Sequence, residues 1–309
     1  MNWTDTLAEL IRRTTSDLPA DAEAALRRAA ASEAPGSQAA LLLAALSENT
    51  ALARAQSTPL CQDTGTLTFF WTVPRGADTP ALEHAAREAV ARATRSGWLR
   101  RNTIDTLTGR SIDDNVADGA PVCHFESAPC GSGASNSALC SSGALSPEVG
   151  PATVWLLQKG GGSENMSAQY SLPDETLGAG RDLEGVRKCL LHAVWRAQGF
   201  GCAPGVLGVC IGADRAEGFL AAKRQLLRPL DDAAPEPELA ALERRVLGEA
   251  NALGIGPMGM GGRTTLLGVK IAARTRLPAS YFVTAAYLCW ACRRRGVRVA
   301  PGGATEWLG

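Results

Sequence analysis

The first 56 residues have the pattern of helices. The opening stretch MNWTDTLAELIRRTTSDLPAD is amphipathic, with charged and apolar positions interleaved. Asp21 opens an Ala/Leu/Arg-rich segment, and Ser37 is placed to cap the run QAALLLAALSENTALARAQ. Thr58-Pro59 then breaks the pattern, because proline lacks the backbone N–H that a helix interior needs. We therefore expect an N-terminal helical region over residues 1–56.

From residue 57 onward, strand-like and helix-like segments alternate. The β-branched and aromatic segment TLTFFWTV predicts a buried strand, and the segment 81–97 predicts a helix that ends at Gly97. A later helix carries its apolar residues on one face: Leu183, Val186, Leu190, Leu191 and Val194. Further helices are expected in EGFLAAKRQLL and 236–252, and further strands at 120–126, 152–158, 205–211, TLLGVKI and SYFVTAAYLCWA.

This alternation indicates a mixed α/β (α+β) fold with mixed sheets flanked by helices. We expect one large domain over residues 1–309, in which residues 57–309 form the core. The segment 128–150 is an exception, since its Gly/Ser/Ala bias is typical of a flexible surface loop. Cys130 and Cys140 lie in that loop, so we expect them to stand apart from any larger metal site, with a local zinc clip as the alternative.

Composition narrows the possible functions. Lys+Arg and Asp+Glu balance at 31 each, which gives no electrostatic reason to expect nucleic acid or an anionic membrane as a partner. No apolar run approaches the roughly 20 residues that span a bilayer, and the N-terminus does not resemble a secretory signal. We expect a cytoplasmic protein. Its nine scattered cysteines argue against a disulfide framework, so burial, catalysis or metal binding must account for them.

Two loops combine glycine with chemically active side chains. The loop PLCQDTG places Cys61 beside Gln62 and Asp63, which suits a nucleophile, a metal ligand or a plain turn. The loop KGGGSEN, at 159–165, has three consecutive glycines that let successive backbone N–H groups approach an anion. A simple turn is the alternative there, because neither a P-loop nor a Rossmann spacing is present.

Two more glycine-dense loops, GFGCAPG around Cys202 and GIGPMGMGGRTT at 254–265, border predicted strands and indicate backbone crowded around a bound group. Cys61, Cys202 and Cys289 are far apart in sequence. Three such cysteines can bind a [4Fe–4S] cluster and leave one iron open as a Lewis acid. The pair Cys289 and Cys292 can equally be half of a zinc site, although no second CxxC completes it.

Taken together, these motifs resemble the alpha component of the class I fumarase and L-tartrate dehydratase family. The resemblance covers roughly residues 55–295 and rests on CQDTG, KGGGSENMSAQYSLP, GCAPGVLGVCIGADRAEG, NALGIGPMGMGGRTTLLGVKI and RLPASYFVTAAYLCWACRR, in the family's order. It implies a hydro-lyase that adds or removes water across a carbon–carbon double bond of a small dicarboxylic acid, with fumarate and malate as the first expectation. It also implies a [4Fe–4S] cluster in the core.

The resemblance assigns roles to individual residues. Cys61, Cys202 and Cys289 are the implied cluster ligands, with Cys292 as a rival to Cys289, whereas Cys189 and Cys210 are expected in the core. Gln62 and Asp63 are the implied catalytic residues. Arg100, or its neighbour Arg101, is the implied partner of a substrate carboxylate, unless it is only a surface charge. The implied cradle for the substrate consists of Gly160, Gly161, Gly162, Ser163 and Asn165.

The chain departs from the family at two places. The stretch 128–150 is longer than usual, and Thr275 stands where a histidine is often found. We expect structural roles for the three histidines that are present, His84, His124 and His192. Fused members carry a further domain that completes the active site, so the resemblance implies a separate beta subunit here, in an alpha-beta heterodimer or a dimer of such pairs.

Two other functions stay open. A homologue from a specialised pathway would act on tartrate or another 2-hydroxy diacid. A non-catalytic subunit that binds an iron–sulfur cluster or zinc would sense oxygen or support a partner, but it would have no need of Gln62, Asp63 and a substrate cradle.

Overall fold

The computed structural model describes residues 2–128 and 150–309. The chain forms two compact units, each assembled from separate stretches of sequence. The first contains Met1–Thr15, Thr66–Gln158 and Arg295–Gly309, and the second contains Ser16–Gly65 and Lys159–Arg294. The loop predicted at 128–150, with Cys130 and Cys140, lies almost wholly outside the described residues. A single domain over residues 1–309 stays a prediction.

Helices and strands alternate along most of the described chain. The helices are α1 Trp3–Ser16, α2 Ala20–Ser32, α3 Gln38–Gln56, α4 Thr79–Arg95, α5 Gly161–Asn165, α6 Leu183–Ala197, α7 Arg215–Gln225 and α8 Pro237–Ala252. The strands are β1 Thr66–Val73, β2 Val122–Ser127, β3 Ala152–Lys159, β4 Ala168–Ser171, β5 Gly205–Ile211, β6 Leu266–Ala273, β7 Phe282–Leu288, β8 Arg294–Val299 and β9 Thr305–Leu308. The mixed α/β fold is thereby confirmed.

The helices predicted in the first 56 residues are confirmed as α1, α2 and α3. The Ser37 hydroxyl accepts a hydrogen bond from the Ala40 N–H at 3.2 Å, which is the expected N-cap. Ser57 ends α3 in the left-handed region, with a φ of 52°. This reversal starts the loop that carries Cys61.

The first unit is built on a five-stranded sheet in the order β2-β1-β3-β8-β9. β1 and β2 run parallel, whereas β8 and β9 run antiparallel. Apolar side chains of α1 and α4 pack on this sheet and form one core, which includes Leu10, Phe69, Val90, Leu156 and Val297. Burial of that apolar surface is the main stabilising contribution in the unit.

The second unit is built on a four-stranded sheet in the order β4-β7-β5-β6, in which β5 is parallel to β6 and antiparallel to β7. Alternate residues of β5, such as Leu207 and Val209, join α6 and α8 in a core on one face. On the other face, α7 lies so close that a Cβ on Gly208 would come within 2.2 Å of the Ala222 carbonyl oxygen. The unit therefore has three layers.

Two of the cysteines expected in the core are confirmed there. Cys189 on α6 and Cys210 on β5 are both fully buried. Burial raises the pKa of Cys189 to about 12 and that of Cys210 to about 11, because the thiolate is poorly solvated in an apolar surrounding. Both therefore act as small apolar side chains.

Three strands and one helix were absent from the sequence prediction: β4, β8, β9 and α5. β4 and β9 are four residues long, and a run of three arginines leads into β8, which hides its strand pattern. The face predicted for α6 is correct at Val186, Leu190 and Val194, but Leu183 is exposed at the start of the helix. Within the described residues, no helix is long and apolar enough to cross a membrane.

The tight approach of β5 to α7 leads to a stability prediction. Gly208→Ala places a methyl group against the Ala222 carbonyl and the Leu226 side chain, so the free energy of unfolding should fall by about 2–3 kcal/mol. Gly248→Ala is the matched control, since an added Cβ on this α8 residue meets nothing within 4 Å and should raise stability by about 0.5–1 kcal/mol. Urea unfolding of both variants measures the difference, and equal midpoints would contradict the proposed crowding.

Candidate active site

The loop that carries Cys61, Gln62 and Asp63 connects α3 to β1. The Asn49 side chain donates a hydrogen bond to the Leu60 carbonyl at 2.9 Å, and the Gly65 N–H donates to Asp63 Oδ1 at 3.1 Å. Gly65 has a φ of 76°, and a Cβ there would lie 2.6 Å from the carbonyl carbon of Lys159. Only glycine allows this contact, so the CQDTG loop is held against the start of the KGGGSEN segment.

The loop that carries Cys202 follows α6 and packs against the ring of Tyr287. A Cβ on Gly201 or on Gly205 would come within 2.5 Å or closer of the Tyr287 ring. Cys202 lies between these glycines, exposed and in the left-handed region with a φ of 55°. A non-glycine residue in this region is uncommon and is typical of functional sites.

Cys289 lies directly after β7 and is buried. The N–H of its neighbour Trp290 donates a hydrogen bond to the Cys202 carbonyl at 3.1 Å, which ties the two loops together. Burial raises the pKa of Cys202, and the negative charges of Cys289, Cys61 and Asp63 raise it further. The three predicted cysteines and Asp63 are thus electrostatic neighbours within one compact unit.

The thiols do not form a site for a single metal ion. In residues 2–128 and 150–309, no group of three or more His, Cys, Asp or Glu side chains is arranged to hold one. Cys292 is fully buried, with its thiol directed at the Cys289 carbonyl at 3.7 Å. Cys289 acts electrostatically on Cys202. Its assignment, in preference to Cys292, as the third cysteine of the set stays a prediction.

The glycine run forms the start of the short helix α5 instead of an open loop. A Cβ on Gly160 would lie 2.7 Å from Asp63 Oδ2, so glycine is needed there for space. The Gly160 carbonyl accepts hydrogen bonds from the Glu164 N–H at 2.9 Å and from the Ser163 hydroxyl at 3.0 Å. Gly161, Gly162 and Asn165 are exposed. Their role as a substrate cradle stays a prediction.

A chain of ion pairs joins Lys159, Glu164 and Lys223, and the sequence patterns did not predict it. The buried Lys159 ammonium contacts Glu164 Oε2 at 2.6 Å and Ser167 Oγ at 3.0 Å, and Lys223 contacts Glu164 Oε1 at 2.8 Å. Ser167 Oγ also accepts from the Tyr287 N–H at 3.2 Å. The chain therefore braces the turn against β7. A charged residue ending the apolar strand ATVWLLQK was the available signal.

A second missed residue is Arg293, which follows the CWAC segment. It is 1% exposed, and its Nε and Nη1 atoms are buried without a hydrogen-bond partner. Its Nη2 atom lies 3.6 Å from the position that a Cβ on Gly160 would occupy, the same position that Asp63 Oδ2 approaches. The Arg293 cation also acts to lower the pKa of Cys289, although burial keeps that pKa raised. Three arginines in a row are typical of a solvated surface, so the sequence alone does not indicate that Arg293 is buried.

Arg100 belongs to the other compact unit. Its side chain is exposed, and its carbonyl accepts a hydrogen bond from the Asn115 side chain at 2.7 Å. Arg101, the alternative, pairs with Asp113 at 3.1 Å on the surface. Asn115 also accepts from the backbone N–H groups of residues 102 and 103, so this loop has a defined conformation. A substrate contact by Arg100 stays a prediction.

The histidines have structural surroundings. His84 is exposed on α4 beside Glu88, and His192 Nδ1 lies 3.0 Å from the Tyr170 hydroxyl. His124 stacks on Phe70 with 5.3 Å between ring centroids. None of the three is on the loops that carry the site cysteines.

Comparison with known proteins identifies the relatives of the chain. Residues 4–298 match the model of the fumarate hydratase (Fumerase) family. A Geobacillus stearothermophilus protein, provisionally named fumarate hydratase class I, is 44% identical over 98% of this chain and 56% of its own length. A Methanocaldococcus jannaschii protein, provisionally named L(+)-tartrate dehydratase subunit alpha, is 31% identical over 97% of this chain and 98% of its own length. The L(+)-tartrate dehydratase subunit alpha of Escherichia coli UTI89 is 28% identical over 78% of this chain and 72% of its own length.

The names of these relatives are those of hydro-lyases, which is the class of enzyme that the sequence motifs predicted. The chain belongs to the fumarate hydratase (Fumerase) family. It spans about half of the Geobacillus relative, 56% of its length, but nearly the whole of the Methanocaldococcus relative.

The burial of Lys159 within this ion-pair chain leads to a pH prediction. Burial lowers the pKa of Lys159 from 10.5 to about 8, even though Glu164 acts to raise it. Between these values the unfolded chain binds more protons than the folded chain, so Lys159 makes the free energy of unfolding rise with pH. The free energy of unfolding of the wild type minus that of Lys159→Met should therefore increase from pH 8 to pH 10.

Chemical denaturation at several pH values measures this difference, and the contributions of cysteines and tyrosines that both proteins share largely cancel. A difference that stays constant or decreases over the same range would contradict the lowered pKa of Lys159.

Proposed function

We propose that the chain is the alpha subunit of a [4Fe–4S]-dependent hydro-lyase that reversibly hydrates a dicarboxylic acid, with fumarate and malate as the substrate pair. The observation that carries the proposal is the convergence of Cys61, Cys202 and Cys289 beside Asp63 within one unit. A cluster of three thiols and a carboxylate that come from loops far apart in sequence is typical of a functional site.

The residues fit the proposed cluster. Three thiols come from three separate loops. The buried guanidinium of Arg293 has two nitrogens without a hydrogen-bond partner, and the negative charge of a cluster would compensate its positive charge. When bound, such a cluster supplies an iron without a protein thiolate, a Lewis acid for the oxygen atoms of the substrate.

Asp63 is the proposed general acid or base. Its Oδ1 atom is held by the Gly65 N–H, while Oδ2 extends toward Gly160. One oriented and one available carboxylate oxygen suit a group that accepts or returns the proton at a substrate carbon. The exposed Gln62 amide, next along the loop, is proposed to orient the substrate by hydrogen bonds.

The two carboxylates of the substrate need cationic or N–H partners. We assign one to the turn formed by Gly160, Gly161, Gly162, Ser163 and Asn165, which presents backbone N–H groups at the start of α5. We assign the other to Arg100, because a guanidinium can bind a carboxylate through two hydrogen bonds.

A beta subunit is proposed as the partner that completes this site. Two observations support it: the Geobacillus relative is nearly twice as long as the aligned region, and the Methanocaldococcus relative is named as an alpha subunit. An alpha-beta heterodimer, or a dimer of such pairs, follows. A cytoplasmic location is part of the same proposal.

A second candidate substrate is tartrate or another 2-hydroxy diacid. The end-to-end match with a protein named L(+)-tartrate dehydratase subunit alpha favours it. Thr275, exposed in the loop after β6, is the departure from the family motif that makes a different diacid reasonable.

The cluster proposal predicts a spectroscopic result. After anaerobic reconstitution with iron and sulfide and mild oxidation, the chain should give a three-iron EPR signal. That signal should be lost in Cys61→Ser, Cys202→Ser and Cys289→Ser, because a serine hydroxyl is a poor ligand for iron–sulfur clusters. Cys292→Ser is the matched control and should retain it. A wild-type chain without a cluster, or a cluster indifferent to these substitutions, would remove the iron–sulfur proposal.

The role of Asp63 predicts a kinetic result. Asp63→Asn should lower kcat for fumarate hydration by about 10²–10⁴-fold with the beta subunit present, the usual loss of a general acid or base. The iron content and EPR signal should stay at wild-type values, which separates catalysis from cluster assembly. Asp5→Asn, an exposed aspartate of the other unit, is the control. Wild-type kcat in Asp63→Asn would exclude this residue from the mechanism.

A further inference from the structure

Arg293 differs from the other buried cations of the chain. In the described ranges four lysine or arginine residues are buried, namely Lys159, Lys270, Arg293 and Arg294. Three of them have a carboxylate partner: Glu164 for Lys159, Asp232 for Lys270 and Asp21 for Arg294. Arg293 has none within this part of the chain, and two of its three guanidinium nitrogens make no hydrogen bond.

A buried charge without a partner is costly, because the interior replaces neither its water shell nor its counterion. Leaving two N–H-bearing nitrogens unsatisfied adds to that cost. Such a residue is expected only where the functional state supplies the missing negative charge. Arg293 is therefore suited to a site whose charge becomes negative when it is occupied.

The surroundings of Arg293 show where that negative charge would be. Its cation acts on the Cys289 thiol, and its Nη2 atom lies 3.6 Å from the position that a Cβ on Gly160 would occupy. Because Nε and Nη1 are sealed from solvent, they are poorly placed to receive a diffusing substrate. The acceptors that suit them are groups held within the protein, such as the thiolate of Cys289, on which the Arg293 cation acts, and bound sulfide.

We propose that Arg293 is a positioning residue whose buried guanidinium compensates the negative charge of the cysteine thiolates and the cluster that they bind. This inference rests on the proposed cluster function. It assigns Arg293 to holding the cluster and setting its electronic properties, through charge and hydrogen bonds to sulfur, and not to contact with the reacting substrate.

The proposal predicts effects of opposite sign on the empty and the loaded protein. Arg293→Met removes an unpaired charge and keeps a side chain of similar length, so the empty chain should unfold at a higher temperature than the wild type. The same variant should bind the reconstituted cluster about 10-fold or more weakly, measured as iron retained against a chelator under anaerobic conditions. The reduction potential of its cluster should shift to more negative values, because a nearby positive charge has been lost.

Two further variants complete the design. Arg293→Lys keeps the charge and should retain a reduction potential closer to that of the wild type, whereas a purely structural residue would show no such rescue. Arg274→Met removes an exposed arginine and should change neither the unfolding temperature nor the potential.

The outcomes separate the two proposals. If the wild-type chain assembles no cluster, the proposed function fails, and this inference fails with it. If the wild type assembles a cluster while Arg293→Met retains iron equally well at an unchanged potential, only the role of Arg293 is overturned. An empty Arg293→Met chain that is less stable than the wild type, or that does not fold, would show that the residue supports the fold instead.

Discussion

Close backbone approach is the constraint on which the site depends. Gly65 lies on the Lys159 carbonyl, Gly160 leaves room for the Asp63 carboxylate, and the Cys202 loop rests on the Tyr287 ring. A Cβ at these glycines would come within 2.3–2.7 Å of its neighbours, so a methyl group there would push the loops apart. The convergence of thiols from three distant parts of the sequence therefore rests on the absence of side chains at a few positions.

Charge is the second organising influence, and it is distributed unevenly. The buried Lys159 ammonium pairs with the exposed Glu164 carboxylate and braces the turn at the end of β3, and a buried charge with such a partner is tolerated. Arg293, on the same side of the molecule's second unit, is buried without such a partner. A fold that neutralises its other buried cations and leaves one unsatisfied gives up part of its stability at that position, as active sites commonly do.

The proposed chemistry is divided among parts of the protein. The thiols, Asp63 and the glycine turn belong to the second compact unit, whereas Arg100 belongs to the first. Cluster binding and proton transfer are therefore assigned to one unit, and part of substrate recognition to groups outside it. Substrate choice between fumarate and tartrate would then depend on recognition groups, while the reaction type depends on the thiol site, which is how function varies on a common fold.

The sequence by itself determined the fold class, the boundaries of most long elements and the family, because buried strands, helix caps and glycine-rich motifs are local signals. It also selected Cys61, Cys202 and Cys289 through motifs, without any measure of their proximity. Only the tertiary structure showed that Cys289, Cys61 and Asp63 act electrostatically on Cys202, that the glycine run begins a helix, and that Lys159 and Arg293 are buried. The reason is physical: burial, charge pairing and close approach depend on residues far apart in sequence, and no local pattern records them.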